Sequence, residues 1–399
     1  MKENGLRWLE ALGPHKMRPG LLRTRALLAG LGNPERTFRS VLIAGTNGKG
    51  STAAACSSIL HAAGLSTGLY TSPHLISVTE RIRVLEQDVP DSLLEDVLSL
   101  VAAVSGPGER SPTYFEALTV AAFELFRRAR VQVAIVEAGI GGRLDATNVL
   151  EPEVSVVTNV GADHLEVLGP SLGDVAREKA GVFRRGQPAL TGAAGAPLAV
   201  LHAEAARIGA RLVDVPPDER LDGASPLPGR HQRSNLSLAV AAARAFAPLD
   251  EETILRGLRA TRWPGRLQRI ERPGKRPLLL DGAHNPDAAA ALATYLDEAG
   301  LSGRLDLVFG GLADKDLPAV FAPLGARARR VVLVAPDSPR AERPGALAAR
   351  LGLPERATAE SPADALARLD DGENPAAPIL VAGSLYLVGD VLKLLQPRG

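Results

Sequence analysis

Seven short apolar runs, each ending in a glycine-rich or polar turn, constrain the fold of this 399-residue chain more than any other feature. They span residues 41–45, 133–139, 154–161, 277–285, 305–311, 330–336 and 379–384. Helical stretches such as 51–63, 286–299 and 343–351 lie between them. Strands that alternate with helices predict an α/β protein with parallel, doubly wound sheets, whose ligands bind at the carboxyl ends of the strands.

A proline-rich segment, residues 264–277, divides the chain. The preceding pattern predicts a helix that starts near Ser234 and stops near Arg259, after which three prolines keep the backbone extended or turning. A new series of strands and helices then begins. We therefore predict two domains, at residues 1–262 and 268–399, joined by a short linker.

Charge and cysteine content exclude several classes of protein. Lys and Arg total 46 against 45 Asp and Glu, a net charge of +1, so the chain lacks the broad cationic field that nucleic-acid binding needs. A single cysteine, Cys56, cannot form an internal disulfide, and no apolar run follows a basic N-terminus. We expect a cytoplasmic protein that binds neither nucleic acid nor membrane and acts as a monomer.

The stretch "VLIAGTNGKGST" resembles a phosphate-binding loop but departs from the standard G-x-x-x-x-G-K-[ST] pattern. Gly45 lies four residues before Lys49, and Gly50 separates this lysine from Ser51. Backbone N–H groups between a strand and a helix suit a phosphate, and Lys49 adds a positive charge. Ser51 or Thr52 then offers the hydroxyl for magnesium. The alternative is a glycine-rich turn with a solvated lysine.

A second turn, in "YTSPHLISVTERIRV" (70–84), carries several polar side chains. Ser72 offers a hydroxyl and His74 an imidazole, while Arg81 and Arg83 suit carboxylates through bidentate hydrogen bonds. A turn followed by an amphipathic edge strand explains the same residues equally well.

Glu137 ends the apolar run of "VAIVEAGIGGRLDATN" (133–148), where an unpaired carboxylate would be costly to bury. A partner is therefore expected. Glu137 is a hard oxygen ligand suited to Mg²⁺, which we favour as that partner. A salt bridge to a nearby arginine is the alternative.

The strand end in "TNVGADHLEVLG" (158–169) carries Asp163 and His164. Histidine is an uncommon magnesium ligand, and the residues alone give no reason to prefer His164 over Asp163. Lys179 lies on a following helix near this strand end. A lysine among acidic groups is ordinarily an ion-pair partner, although its carbamate with CO₂ would be an anion able to hold metal.

Polar residues also follow the strands of the C-terminal half. "DGAHNP" places Asp281, His284 and Asn285 in a turn before a helix, "WPGR" ends in Arg266, and a helix begins at Ser384. Each alone is ordinary helix-capping or turn chemistry. Their shared position at strand ends suggests one cleft between two domains.

Taken in order, these stretches resemble the folylpolyglutamate synthase and dihydrofolate synthase family, a branch of the Mur ligases. The similarity covers nearly the whole chain. Lys-Gly-Ser in the loop, combined with the SPH and TYFE stretches, is specific to the folate branch. The matching stretches are LLAGLGNPERTF, GTNGKGS, SPHL, ERIRV, TYFE, EAGIGGRLDATN, DHLEVLG, EKAGVF, GRHQRSN, WPGRLQ, DGAHNP and AGSLYLVGDV.

This resemblance implies an N-terminal Mur-ligase-type ATPase domain with a P-loop and a C-terminal Rossmann-like glutamate-ligase domain. It also implies an ATP-dependent ligase, in which the γ-phosphate passes to the carboxylate of a folate or dihydropteroate. The amine of L-glutamate then attacks the acyl phosphate, giving an amide, ADP and phosphate. The TYFE and LDATN stretches favour a bifunctional enzyme that accepts both dihydropteroate and folates.

The resemblance further assigns roles to individual positions. ATP binding falls to Thr46, Asn47, Gly48, Lys49, Gly50, Ser51, Asn235, Arg266 and Asp281. Magnesium binding falls to Ser72, Glu137 and His164. Lys179 matches the lysine that is carbamylated in the family. Substrate binding falls to Arg81, Thr113, Tyr114, Phe115, Glu116, Leu144, Asp145, Ala146, His284 and Ser384. The expected catalytic residues are Lys49, Lys179 and His284, the last as a base for the glutamate amine.

Three other functions compete with this interpretation. A Mur ligase of cell-wall synthesis would need a separate N-terminal domain for its uridine nucleotide, and only about 40 residues precede the loop. A P-loop ATPase or kinase would not require glutamate for ADP release. A non-catalytic nucleotide-binding module is disfavoured because the positions assigned to metal and ATP are all filled.

Overall fold

The computed structural model describes residues 4–13, 18–370 and 376–396. The chain divides into two compact units. The first comprises residues up to 262, apart from 73–77 and 227–231. These two short segments belong to the second unit, together with the chain from residue 263.

The first unit is built on an eight-stranded sheet. Its strands are β1 (Arg39–Ala44), β2 (Thr67–Tyr70), β3 (Ile82–Val84), β4 (Gln87–Asp88), β5 (Val133–Glu137), β6 (Val154–Val157), β7 (Pro188–Thr191) and β8 (Arg211–Asp214). Its helices are α1 (Gly5–Leu12), α2 (Leu22–Gly30), α3 (Lys49–Ala62), α4 (Asp91–Val104), α5 (Tyr114–Arg128), α6 (Leu165–Leu168), α7 (Leu172–Ala180), α8 (Ala196–Ile208), α9 (Arg230–Phe246) and α10 (Glu251–Ala260).

The strands of this sheet lie in the order β4-β3-β2-β5-β1-β6-β7-β8. From β2 to β8 the neighbouring strands are parallel, whereas β3 and β4 add antiparallel pairs at one edge. Residues 41–44 of β1 and 133–136 of β5 are fully buried. Burial on both faces explains why these strands are continuous apolar runs rather than alternating ones.

The second unit has a five-stranded sheet in the order β12-β11-β13-β10-β9. Its elements are β9 (Gln268–Arg272), β10 (Lys275–Leu280), α11 (Pro286–Glu298), β11 (Leu305–Phe309), α12 (Leu317–Gly325), β12 (Ala328–Leu333), α13 (Pro344–Leu351), α14 (Pro362–Leu369), β13 (Ile379–Ala382) and α15 (Leu385–Leu395). All pairs are parallel except β9 with β10. Alternate strand residues enter two separate apolar clusters, one with α11 to α13 and one with α14 and α15. Helices therefore cover both faces, and the α/β prediction is confirmed.

The structure corrects two details of the sequence interpretation. Each sheet carries antiparallel strands at one edge, so the sheets are not wholly parallel. The helix predicted from Ser234 to Arg259 is in fact two helices, α9 and α10. Pro248 falls in the break, and the Asp250 side chain accepts a hydrogen bond from the Thr253 N–H at 2.7 Å, which starts a new helix.

Across the described ranges, no helix combines the length and the apolarity needed to cross a bilayer.

Candidate functional site

Four neighbouring strands of the first unit bring the predicted residues to one edge of its sheet. β2, β5, β1 and β6 are adjacent and parallel, so their carboxyl ends point the same way. The turn after β1 is the glycine-rich loop, Ser72 follows β2, Glu137 ends β5, and residues 158–164 follow β6. Loops that are distant in the sequence therefore converge here.

The loop after β1 requires glycine at residue 48. Gly48 has φ of 82°, in the left-handed region, and directly precedes the first residue of α3. A Cβ at this position would lie 2.1 Å from Oδ1 of Asn235. Asn235 is itself fixed, because its Nδ2 donates to Oε1 of the buried Gln232 at 2.9 Å. The loop and α9 therefore approach each other as closely as glycine permits.

Residues after β6 hold the loop in place. The Asn47 N–H donates to Oδ1 of Asn159 at 2.8 Å, and the Thr158 hydroxyl donates to the carbonyl of Asn47 at 2.7 Å. The Thr46 N–H donates to the carbonyl of Asn159 at 3.1 Å. These bonds fix the loop backbone, while the first N–H groups of α3 have no acceptor within their own helix. The arrangement suits an anion.

Lys49 and Glu137 form the charged centre of this edge. Nζ of Lys49 donates to the carbonyls of Gly45 and Thr46 at 3.1 and 3.2 Å and lies 4.0 Å from Oε1 of Glu137. Glu137 is 4% exposed, and its Oε2 accepts a hydrogen bond from the Ser72 N–H at 3.1 Å. The expected burial of this carboxylate and its need for partners are thus both found in the structure.

The donor atoms at this edge fit a hard divalent cation. Glu137 supplies a buried carboxylate and Ser72 a hydroxyl, and oxygen donors of this kind suit Mg²⁺, which keeps several waters and binds phosphate oxygens. His164 lies 3.8 Å from Asp163 and 3.6 Å from Glu166, measured between imidazole nitrogen and carboxylate oxygen. Among the described residues there is no group of three or more His, Cys, Asp or Glu side chains placed to hold a metal ion.

Lys179 is buried in α7, with 3% of its surface exposed. Burial lowers the pKa of its ammonium to about 7, and the nearby cation Lys49 acts in the same direction. The carboxylates of Asp163 and Asp145 oppose this shift. The Lys179 amine is therefore substantially neutral near pH 7, which makes it a nucleophile.

The TYFE stretch starts α5 with a capping box. The Thr113 hydroxyl accepts from the Glu116 N–H at 3.2 Å, and the Glu116 carboxylate accepts from the Thr113 N–H at 2.7 Å. Arg81, which is 8% exposed, places its guanidinium carbon 5.5 Å from the centre of the Tyr114 ring. The Phe115 ring packs 5.9 Å from that of Tyr70.

The LDATN stretch presents a mixed surface. Leu144 is 42% exposed, whereas Asp145 and Ala146 are buried. Oδ1 of Asp145 accepts from the Thr147 hydroxyl at 2.6 Å and Oδ2 from the Ile140 N–H at 3.0 Å. Burial nevertheless raises the pKa of Asp145. Asp145 thus fixes the backbone of this turn through hydrogen bonds, and the exposed Leu144 gives the turn an apolar surface.

In the second unit, the predicted residues gather after β10 and β13, which are neighbours. Asp281 accepts hydrogen bonds from the N–H groups of Leu267 and Ala283, each at 2.9 Å. Nδ1 of His284 lies 2.8 Å from the carbonyl of Gly282. Ser384 caps α15 through the Tyr386 N–H at 3.1 Å.

Arg266 lies in the same unit, beside the turn that follows β10. A Cβ at Gly282 would lie 2.5 Å from its guanidinium, and this guanidinium donates to the carbonyl of Gly265 at 3.1 Å. The predicted ATP residues therefore fall into two groups, Thr46–Ser51 with Asn235 in the first unit and Arg266 with Asp281 in the second.

Sequence reasoning missed several residues that support these groups. Asn159 orients the loop and Gln232 orients Asn235, and neither was among the predicted site residues. His231 was also missed. Burial lowers its pKa, as does nearby Arg266, against the opposing charge of Asp281. Asn159 is marked by no local pattern, because its partner Asn47 lies 112 residues away in the sequence.

Comparison with known proteins decides the family. The Mur ligase middle domain matches residues 43–192, and the Mur ligase glutamate ligase domain matches residues 265–385. Folylpolyglutamate synthase from Lacticaseibacillus casei is 36% identical, with 94% of each chain covered. The chain belongs to the folylpolyglutamate synthase and dihydrofolate synthase family. The family prediction is confirmed.

A second relative is longer than this chain. A probable bifunctional folylpolyglutamate synthase/dihydropteroate synthase from Haloferax volcanii is 38% identical over 94% of this chain and 48% of its own length. The chain thus spans about half of that protein.

Solved structures of family members have the same fold. FolC from E. coli, in complex with DHPP and ADP, superposes with a TM-score of 0.88 at 32% identity, covering 99% of this chain and 98% of the other. A bifunctional folylpolyglutamate synthase/dihydrofolate synthase with Mn, AMPPNP and L-glutamate bound has a TM-score of 0.85 at 31% identity, with 98% of each chain covered.

Proposed function

We propose that this chain is an ATP-dependent ligase that adds L-glutamate to the carboxylate of folates and also to dihydropteroate, through an acyl phosphate. The amide-forming ligase class follows from the family to which the chain belongs. The observation that carries the proposal is the rigid loop before α3, whose N–H groups and Lys49 adjoin the buried Glu137. A phosphate and its counter-cation both suit this edge.

In this proposal the backbone N–H groups of residues 46–51 and the ammonium of Lys49 hold the ATP phosphates. Asn235 of the first unit and Arg266 and Asp281 of the second make further ATP contacts. Transfer of the γ-phosphate develops negative charge on its oxygens, and fixed donors stabilise that charge without reorganisation. We also propose that residues 1–262 form the ATP-binding domain and that residues 268–399 form the glutamate-ligase domain.

Ser72, Glu137 and His164 would hold Mg²⁺ beside the loop. The bound cation would supply positive charge that offsets the charge of the phosphates. Nζ of Lys49 lies 4.0 Å from Oε1 of Glu137, so the phosphate-binding lysine and the proposed cation ligand are neighbours at this edge.

Lys179 is proposed to be carbamylated. Its neutral amine attacks CO₂, a C–N bond forms, and one proton is released to solvent, leaving an anionic carbamate. A neutral amine is required for this step, and the lowered pKa of Lys179 supplies it near pH 7. The carbamate would place a negative charge near Lys49, which attracts it.

Tyr114, Phe115, Leu144 and Ala146 are proposed to form the wall against the pterin ring, and Arg81 is assigned to the substrate carboxylate. His284 and Ser384 are assigned to the incoming glutamate, with His284 accepting the proton of its amine. A monomeric, cytoplasmic enzyme remains our expectation.

The first test measures ADP release with ATP, Mg²⁺ and L-glutamate, offering dihydropteroate and tetrahydrofolate in separate reactions and identifying the products by mass spectrometry. Turnover with both substrates establishes the bifunctional enzyme. Turnover with tetrahydrofolate alone reduces the proposal to a polyglutamate synthase. If folded protein that binds ATP releases no ADP with either substrate, the folate assignment is contradicted. A cell-wall ligase, an ATPase or a kinase would then have to be tested instead.

A further inference from the structure

Residues 18–23, here called the N-terminal strap, are tied to both stretches assigned to the pteroate or folate substrate. The Arg18 guanidinium donates to the carbonyl of Ser111 at 3.2 Å, just before the TYFE stretch. The Gly20 N–H donates to the carbonyl of Leu144 at 3.3 Å, within the LDATN stretch. The strap thus bridges two segments that lie about 30 residues apart in the sequence.

Arg23 makes the strongest of these ties. Its Nε donates to Oε2 of Glu116 at 3.1 Å and its terminal nitrogen to Oε1 at 2.8 Å, a two-point contact between guanidinium and carboxylate. The side chains are 17% and 4% exposed, so water screens the pair little. The same guanidinium also donates to the carbonyl of Arg18, which closes the strap on itself.

Glu116 is therefore already engaged by protein donors. Both of its carboxylate oxygens accept bonds from Arg23, and Oε2 also accepts the Thr113 N–H at 2.7 Å. A carboxylate that is buried and used in this way has little capacity left for a substrate. Its neighbours Tyr114 and Phe115 supply the ring surfaces instead.

We infer that Arg23 and Glu116 are a pair of positioning residues for the pteroate and folate subsite, holding the N-terminal strap against the 113–116 and 144–146 stretches. This inference rests on the proposed function, and it replaces direct substrate contact by Glu116. A subsite whose walls come from three separate segments binds well only when their spacing is fixed before the substrate arrives.

The test compares Arg23→Gln, Arg23→Lys, Glu116→Gln and the Arg23→Gln/Glu116→Gln double variant with the wild type. The KM for dihydropteroate and for tetrahydrofolate is expected to rise roughly 10- to 100-fold in Arg23→Gln and Glu116→Gln, with the KM for ATP unchanged. Arg23→Lys keeps the charge but loses the two-point contact with the carboxylate. Its KM for both substrates is therefore expected to lie between the wild-type value and that of Arg23→Gln. The KM of the double variant for both substrates is expected to be no higher than the higher of the two single-variant values, because each substitution removes the same interaction.

Arg25→Gln is the matched control, since Arg25 is an exposed arginine on the same helix, α2. It is expected to leave every KM unchanged. Thermal melting of each variant shows whether it is folded, and Arg23→Lys keeps the test decisive if a neutral variant does not fold.

Three results would overturn the inference. The folate KM could stay at the wild-type value in folded variants, the KM for ATP could rise in parallel, or Glu116→Gln alone could raise the folate KM while both Arg23 variants leave it unchanged. The last outcome would return Glu116 to direct substrate contact. A wild-type enzyme that ligates no glutamate would instead refute the proposed function, so the two failures are distinguishable.

Discussion

The helices that follow β1 and β10 begin in opposite ways. α3 follows Gly48, which has no side chain and lies in the left-handed region, so the N–H groups of its first turn stay available to a ligand. α11 follows Asn285, whose side chain accepts the Ala288 N–H at 2.9 Å, and its first residue is a proline, which has no N–H. The first helix start is open and the second is closed.

This difference indicates that the first unit binds ligands through backbone N–H groups and the second through side chains. An open helix start binds an anion through backbone donors, and the required residues are small and tightly packed. A closed helix start offers fewer such donors, so we expect the second unit to contribute through the side chains of Asp281, His284 and Arg266. The following five predictions test this comparison and the chemistry around it, from the largest expected effect to the smallest.

Lys49→Ala is expected to reduce turnover roughly a thousandfold while the protein stays folded, because the ammonium proposed to bind the ATP phosphates is lost. Steady-state ADP release and thermal melting measure the two effects. Lys275→Ala, at an exposed lysine of the second unit, is the control and should keep wild-type turnover. Unchanged turnover in Lys49→Ala would remove the phosphate site from this loop.

Lys179→Met is expected to lower turnover roughly 10- to 100-fold, and removal of CO₂ from the wild type should have a similar effect that bicarbonate reverses. Carbon-13 NMR with labelled bicarbonate should show a carbamate signal in the wild type that Lys179→Met lacks. A wild type that is fully active in CO₂-free buffer and shows no carbamate signal would contradict carbamylation.

Lys179 also predicts a pH dependence of stability in CO₂-free buffer. Its pKa is about 7 in the fold, against 10.5 for an unperturbed lysine, so between these values the unfolded chain binds more protons. The free energy of unfolding therefore rises with pH across this window. Urea unfolding should show the wild type gaining stability relative to Lys179→Met from pH 7 upward, and equal pH profiles would refute the shift.

Gly48→Ala is expected to weaken ATP binding at least roughly tenfold and to lower the free energy of unfolding by about 2 kcal/mol. Both effects follow from the positive φ and from the contact with Asn235. Calorimetric titration with ATP and urea unfolding measure them. Adding Asn235→Ala should restore part of the stability by relieving the contact, whereas unchanged ATP affinity in Gly48→Ala would show that the loop tolerates a side chain.

Asn285→Ala should lower the free energy of unfolding by about 1 kcal/mol, because α11 loses its cap. ATP affinity should remain unchanged, since this helix start is closed by its own side chain. Asn285→Asp retains an acceptor and should keep most of the stability. A loss of ATP affinity in Asn285→Ala would show that the second helix start also serves the nucleotide and would abolish the contrast.

Most buried strands were predictable from the sequence, whereas the short buried β7 and the exposed β8 were not. All seven apolar runs contain strands, and all but the half-exposed β12 are buried on both faces, which favours continuous apolar runs. β8 lies at the sheet edge with largely exposed residues and has no apolar run to reveal it. The break between α9 and α10 was missed because helical periodicity continues on both sides of it.

The sequence by itself determined the α/β class, the open loop before α3 and the family, because each depends on local residue order. The tertiary structure alone decided which donors are occupied and which are left for a ligand. Asn159 reaches Asn47 across 112 residues and Arg23 reaches Glu116 across 93. The lowered pKa of Lys179 likewise arises from burial and from Lys49. Such contacts and fields depend on packing between distant segments, which no local pattern encodes.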